Sequence, residues 1–234
     1  MEPEPDSFRP IARLRGPFRS KFGLPRQAGL VPAIRADVVF EPPYRRAEAF
    51  RGLEAFSHVW LLWKFSGAER AQWSPTVRPP RLGGNARLGV FATRSPFRPN
   101  PIGLSCVRLE SIGFEDPEGP VLHVLGADLM DGTPIYDVKP YLPYADAIPD
   151  AVGGFAGAAP PPRLTVADPK RLLARFGDAD RTALEEALAA DPRPAYQDEP
   201  GRVYGLPFGD SDVRFTVEGN VLRITEVVSG GCRA

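Results

Sequence analysis

Residues 83–105 read Gly-Gly-Asn-Ala-Arg-Leu-Gly-Val-Phe-Ala-Thr-Arg-Ser-Pro-Phe-Arg-Pro-Asn-Pro-Ile-Gly-Leu-Ser, and within them Arg94, Arg98 and Asn100 are spaced by Pro96, Pro99 and Pro101. Each proline fixes φ and removes a backbone donor, and each biases the residue before it, here Ser95, Arg98 and Asn100, towards extended backbone. Guanidinium groups carried on so stiff a loop are held where they can meet a carboxylate, a phosphate or another polar ligand. The alternative is a rigid turn with solvated charges. Carboxylates form a second set. Asp128 and Asp131 bracket a turn that follows an apolar run at 121–127, and Asp137 and Lys139 fall on one side of an extended segment. A carboxylate so placed can hold a ligand's ammonium or hydroxyl group, or it can cap the turn. Tyr136, Tyr141 and Tyr144 can stack on a base or pack against the prolines beside them.

The absences narrow the chemistry. No Gly-x-Gly-x-x-Gly follows a strand, and there is no Walker sequence, no His-Glu-x-x-His and no Gly-x-Ser-x-Gly. Two histidines and two distant cysteines, Cys106 and Cys232, do not make a metal site. Catalysis then has to rest on arginine, the carboxylates, Asn100, Lys139, the tyrosines or a bound cofactor. His58, at the edge of an apolar run with no second histidine near it in sequence, reads as a packed residue.

The elements that must position these groups are short. The 28 prolines and 23 glycines among 234 residues favour many turns and β-structure over a helical bundle. Strands are expected at 10–14, 34–40, 57–65, 121–127 and 135–138, together with the two apolar runs 88–92 and 102–107 that flank the proline loop. The run 57–65, containing Val59-Trp60-Leu61-Leu62-Trp63, suits a strand buried on both faces. A short helix is expected over 44–54 from Ala47, Phe50 and Leu53, and 66–84 reads as a long irregular loop. Composition shifts at 148–162, where Gly153-Gly154 and Pro160-Pro161-Pro162 suggest a linker. Beyond it, Asp168-Pro169 signals a helix over 168–176, a second helix covers 180–190, and Gly219-Asn220 is a two-residue hairpin turn between strands at 213–217 and 221–227. The expected division is 1–147, 148–162 and 163–234.

Formal charge is zero, yet unevenly spread. Residues 7–36 and 70–109 carry seven basic side chains each and no acid, 14 of the 29 Lys and Arg in all. If both windows share a face, that face attracts a polyanion; otherwise the arginines solubilise strand edges. The acidic, proline-rich start is unlike a signal peptide, the longest apolar run is too short to cross a bilayer, and the cysteine usage suits a reducing compartment, so a cytoplasmic protein is expected.

Four stretches, Pro25-Arg26-Gln27-Ala28-Gly29-Leu30, Arg51-Gly52-Leu53-Glu54-Ala55-Phe56-Ser57-His58, residues 89–103, and Asp131-Gly132-Thr133-Pro134-Ile135-Tyr136-Asp137-Val138-Lys139-Pro140-Tyr141, together resemble the TsaA-like family. These are bacterial tRNA methyltransferases that act on N6-threonylcarbamoyladenosine beside the anticodon. The resemblance covers residues 8–147 and continues more weakly into Asp191-Pro192-Arg193-Pro194-Ala195-Tyr196. It implies a mainly β chain: a non-Rossmann β-barrel methyltransferase with a small α+β C-terminal domain, using S-adenosylmethionine, and a homodimer acting on tRNA away from any membrane. Carried over by motif, cofactor contacts fall at Pro25, Arg26, Gln27, Ser66, Gly67, Arg94, Leu104, Asp128, Leu129, Met130 and Asp131. On the acceptor side the resemblance points to Arg98, Asn100 and Tyr141, with Asp137, then Asp131, as proton acceptor beside Lys139 and no metal. Ala28, where the family often has a second proline, is a departure. The competing expectation is an RNA-binding β-barrel module without transfer activity.

Overall fold

The computed structural model describes residues 8–67, 73–79, 82, 86–157, 164–193, 199 and 201–230. Gly83 and Gly84, two arginines of the basic window 70–109 (Arg70 and Arg81), the proline triplet 160–162, residues 194–196 and Cys232 lie outside the described residues. In chain order the strands are β1 (Ala12–Arg15), β2 (Arg35–Phe40), β3 (His58–Lys64), β4 (Thr76–Val77), β5 (Leu88–Gly89), β6 (Ile102–Gly113), β7 (Val121–Leu125), β8 (Pro134–Pro140), β9 (Thr165–Ala167), β10 (Tyr204–Phe208), β11 (Ser211–Glu218) and β12 (Val221–Ser229). Among the described residues two α-helices accompany them, α1 (Pro143–Asp146) and α2 (Asp178–Ala189).

Alternation of side chains builds the barrel. Strands β1-β2-β7-β6-β3-β8 close on themselves, every neighbouring pair antiparallel, so no edge is left unpaired. Ala12 and Leu14, then Ala36, Val38 and Phe40, then Val59, Leu61 and Trp63 point into one interior. β3 is thus buried on one face, not on both as its composition predicts. Trp60, Leu62 and Lys64 stand half-buried on the outer wall, where the Trp60 indole donates to Asp146 at 3.0 Å and lies 5.9 Å from the Tyr141 ring. An apolar run reads alike whether its second face meets protein or stays half covered.

The helix expected over 44–54 is three 3-10 turns, Pro42–Tyr44, Ala47–Phe50 and Leu53–Ala55. Gly52, at φ 88°, separates the last two, and a left-handed residue stops helix propagation. Phe50 alone of these turn residues is buried, edge-on to Phe40 at 4.8 Å. The helix expected over 168–176 is likewise a 3-10 turn, Leu172–Arg175, because the Asp168 carboxylate accepts the amides of Leu172 and Leu173, both at 2.8 Å, across a left-handed Arg171.

The second sheet runs β10-β11-β12-β9, with β9 parallel to β12, and the β11–β12 hairpin turns at Gly219 and Asn220 as its dipeptide predicts. The sequence signals do not mark β9, three residues long, or β10, interrupted by Gly205 and Pro207. The core under this sheet, Leu184, Leu188, Leu206, Phe215 and Leu222 among others, also takes Phe18, Val31 and Ile34 from the β1–β2 connection. Phe18 stands edge-on to Phe208 at 5.5 Å and Arg19 pairs with Asp210 at 2.7 Å. The segment that leaves the barrel between its first two strands therefore serves as a wall of the second core.

Candidate active site

Four segments far apart in sequence meet at one end of the barrel. They are the β1–β2 connection, the end of β3, the proline loop before β6 and the turn after β7. Between them lies a cavity of about 720 Å³, in the range of ordinary ligand sites. Its lining includes Pro25, Arg26, Gln27, Ser66, Gly67, Arg94, Leu104, Asp128, Leu129 and Met130, and also Arg98 and Asn100. Sequence reasoning missed Lys21, Trp63 and Phe91 in the lining. The acid-free spacing around Lys21 and Phe91 was visible in the sequence, whereas the inward turn of Trp63 is a matter of strand parity.

Serine and threonine brace the proline loop with hydrogen bonds of their own. The Thr93 hydroxyl donates to the Val90 carbonyl at 2.9 Å, the Ser95 amide donates to the Thr93 hydroxyl at 3.2 Å, and the Phe97 amide to the Ser95 hydroxyl at 3.2 Å. Arg98 is anchored by a bond from its guanidinium to the Thr93 carbonyl at 3.1 Å and makes no ion pair with any described residue. Arg94 reaches across the cavity to the side-chain oxygen of Gln27. On the facing wall, Gly29 donates to the Gly126 carbonyl at 2.8 Å, and Lys21 donates to the Gly67 carbonyl at 2.9 Å, tying the β1–β2 connection to the ends of β7 and β3.

Asp128 sits at the base of the cavity. The Trp63 indole donates to the Ser105 hydroxyl at 3.0 Å, and Ser105 donates in turn to Asp128 at 2.6 Å. Because an indole can only donate, Ser105 must accept from it, and its own proton is directed at the carboxylate. Burial pushes the Asp128 carboxyl above the usual range, while the Ser105 hydrogen bond, its own amide, that of Ala28 and the charge of Arg94 pull the other way. The chain thus holds a half-buried carboxylate in place among cationic groups.

The remaining expected site residues do not reach the cavity lining. Asp131 accepts the Gly16 amide at 3.1 Å and its own amide donates to Phe18, so it secures the turn against the β1–β2 connection. Asp137 pairs with Lys139 at 2.9 Å on the outer wall. The register explains this. Ile135 faces Trp63 and points inward, but the pairing slips at Leu62/Trp63 and Asp137 faces the outward Leu62, so one extra residue, Tyr136, has reversed the parity of the strand. Tyr141 packs on the same outer wall against His58, 6.2 Å between centroids, and against Trp60. Much of the basic charge is also spoken for. Arg13, Arg15, Arg19 and Arg35 pair with Glu41, Asp37 and Glu118, Asp210 and Glu110, leaving Lys21, Arg26, Arg94 and Arg98 as the cationic part that the two basic windows bring to one place.

Residues 13–147 match the family model of the tRNA-methyltransferase O N-terminal domain, and residues 170–230 match that of the TrmO C-terminal domain. The chain is 45% identical over 218 residues to the tRNA (adenine(37)-N6)-methyltransferase of Escherichia coli K12, covering 90% of this chain and 92% of that protein. It is 47% identical over 233 residues to a putative S-adenosylmethionine-dependent methyltransferase of Pseudomonas aeruginosa, covering 96% and 98% respectively. The crystal structure of TrmO from Pseudomonas aeruginosa superposes with a TM-score of 0.78 at 40% identity over 97% of this chain and all of that one. On its barrel, its second sheet and these matches, the chain belongs to the tRNA-methyltransferase O family.

Proposed function

We propose that this chain is an S-adenosylmethionine-dependent tRNA (adenine(37)-N6)-methyltransferase, the activity its relatives' names carry, and that its acceptor is N6-threonylcarbamoyladenosine. One observation supports this above the others: a single cavity gathers Pro25, Arg26 and Gln27, Asp128 and the proline-stiffened Arg94 and Arg98. The donor set fits S-adenosylmethionine by its chemistry. Arg26 and Arg94 suit a carboxylate, Asp128 suits a cation, and Leu104, Leu129 and Met130 offer apolar surface to an adenine. When bound, S-adenosylmethionine supplies an electrophilic methyl group.

The chain's own contribution is alignment. The N6 atom belongs to a urea and is a weak nucleophile, so fixing its approach is the main source of acceleration. Asp128 is the sole acid among the described lining residues, which makes it the side chain placed to take the N6 proton. Asp137, Asp131 and Lys139 take structural roles within one protomer. Arg98, with donor capacity left beyond its bond to Thr93, is assigned to the threonyl carboxylate, Asn100 to the same acceptor side, and Ser66 and Gly67 to the donor side. An unmodified adenosine would leave Arg98 without its anion, a basis for rejecting it.

Calorimetric titration with S-adenosylmethionine should show stoichiometric binding, and methyl transfer should require the threonylcarbamoyl group. A chain that binds tRNA and no donor would instead be the non-enzymatic RNA-binding module. Arg98→Lys, which loses the two-pronged contact, should lower kcat/KM on modified tRNA roughly ten-fold or more and leave donor affinity in place. Normal turnover in that variant would remove Arg98 from the acceptor site.

Two units, 1–147 and 163–234 joined by 148–162, and a cytoplasmic setting complete the proposal; no helix among the described residues is long and apolar enough to cross a membrane. A homodimer is proposed from the outer wall of β3 and β6. There Leu104, half exposed at the cavity edge, stands opposite Leu62, two residues from Trp60, so the proposed interface borders the cavity. Light scattering should give twice the chain mass of 25.5 kDa, and a mass of one chain would reject the dimer.

A further inference from the structure

Two large aromatic side chains at the cavity mouth belong to neither core. Phe91, which lines the cavity, is 74% exposed, and Trp73 is 51% exposed; their rings are 6.3 Å apart and tilted by 32°. They are not carried on loose chain. Trp73 precedes β4, which pairs with β5 through Thr76–Gly89 and Val77–Leu88, and Phe91 sits in the 3-10 turn Val90–Ala92 that continues β5. The buried Val90 donates its amide to the Pro75 carbonyl at 2.9 Å, and the Ser74 hydroxyl donates to the Thr76 carbonyl at 2.8 Å, so the two rings are pinned to one small platform.

The surroundings select the kind of partner. Arg78 and Arg87 are exposed on the same hairpin, Arg87 donating to the Thr76 hydroxyl at 3.3 Å, and Arg94 is exposed three residues beyond Phe91. No aspartate or glutamate occurs anywhere in residues 70–109. Open aromatic faces beside unopposed cations suit a ligand that alternates flat rings with anionic groups, and unpaired nucleotides of an RNA loop have that alternation. A second copy of this chain suits the patch less well, because the carboxylates beside its apolar barrel strip, Asp137 and Asp146, are already engaged by Lys139 and by Trp60 and the Leu142 amide.

We propose that Trp73 and Phe91 form a stacking step at the mouth of the cavity on which the nucleotides flanking the target adenosine rest, with Arg78 and Arg87 facing their phosphates. The step would explain how a base is presented to a cavity at a barrel end: its neighbours are held outside on the aromatic platform while it enters. The proposal rests on the tRNA methyltransferase reading, and its test is arranged so that the two can fail separately.

The probe is a synthetic anticodon stem-loop RNA, compared with the same RNA made abasic at the two nucleotides flanking the target adenosine. With the full chain, Trp73→Ala should weaken binding of the intact RNA about ten-fold, in line with the loss of one stacked base, and Trp73→Phe should keep most of it. The abasic RNA should bind wild type and Trp73→Ala alike, and Trp73 fluorescence should be quenched by the intact RNA only. S-adenosylmethionine titration of Trp73→Ala should match wild type. Equal RNA binding by wild type and Trp73→Ala, or an equal loss on intact and abasic RNA, would overturn the stacking step. A change in oligomeric mass in Trp73→Ala would also overturn it, by assigning the ring to a contact between copies. Stacking on RNA without any donor binding by wild type would leave the step standing and remove the methyltransferase reading.

Discussion

Asp128→Asn should reduce S-adenosylmethionine affinity about 30-fold or more and slow single-turnover methylation further, without lowering the melting temperature. The size follows from removing a half-buried, hydrogen-bonded charge that faces a cation, an effect on the order of 2 kcal/mol or more. The asparagine still accepts the Ser105 hydrogen bond, so the scaffold keeps its geometry. The sign on stability is opposite to that on binding. Burial raises the folded-state affinity of this carboxyl for its proton, so its contribution to stability is present below the unfolded-state pKa and is lost as pH rises through the folded one. At neutral pH the ionised Asp128 is therefore a strain on the fold that the neutral amide relieves. Donor binding by the wild type should weaken on acidification, beginning at a higher pH than the ~3.9 of an ordinary aspartate, and Asp128→Asn should be flat over the same range. Calorimetry across that range with thermal melts checks both halves; unchanged donor affinity in the variant would remove Asp128 from the site.

A methyl group added at Gly103, itself on the cavity lining, should disable the same carboxylate through Trp63. A Cβ there would lie 2.2, 2.4 and 2.6 Å from three atoms of the Trp63 indole, and a fused ring cannot yield as a flexible chain end does. Trp63 is buried, 4.2 Å from the Phe65 ring by centroid, and carries the hydrogen bond that orients Ser105 towards Asp128. Gly103→Ala should lower stability by about 1–3 kcal/mol and donor affinity with it. Gly16→Ala is the control, since its Cβ would meet Ala36 and Leu14 at an ordinary 3.5 Å. Adding Trp63→Phe to Gly103→Ala should recover part of the melting temperature, because the smaller ring makes room. It should not recover donor affinity, because phenylalanine has no donor for Ser105. Full activity of Gly103→Ala would show that the indole's position is immaterial.

Local signals carried much of the barrel. The apolar runs of β2 and β7, the Gly219-Asn220 turn and the alanine- and leucine-rich α2 are properties of neighbouring residues, and the chain realises them where its sequence places them. The proline loop is similar. Its stiffness is written in Pro96, Pro99 and Pro101, and its arginines line the cavity because the loop has few other conformations to take. Shorter elements were less legible: β9 depends on a partner strand more than fifty residues away, and the turns around Gly52 depend on a single left-handed residue.

What the sequence determined by itself, then, was a β-rich chain with a rigid arginine loop and the family to which its motifs belong. What only the tertiary structure decided was which carboxylate faces the cavity. Asp128, Asp131 and Asp137 look alike in sequence, but a one-residue slip in the pairing of β8 turns Asp137 outward, a turn contact occupies Asp131, and a hydrogen-bond chain from Trp63 through Ser105 holds Asp128 at the cavity base. The same holds for Phe18, Val31 and Ile34, which leave the barrel to complete the core of a sheet formed nearly two hundred residues later. The physical reason is common to both. Strand parity, register and shared burial are set by contacts between segments distant in the chain, and no window of neighbouring residues contains them.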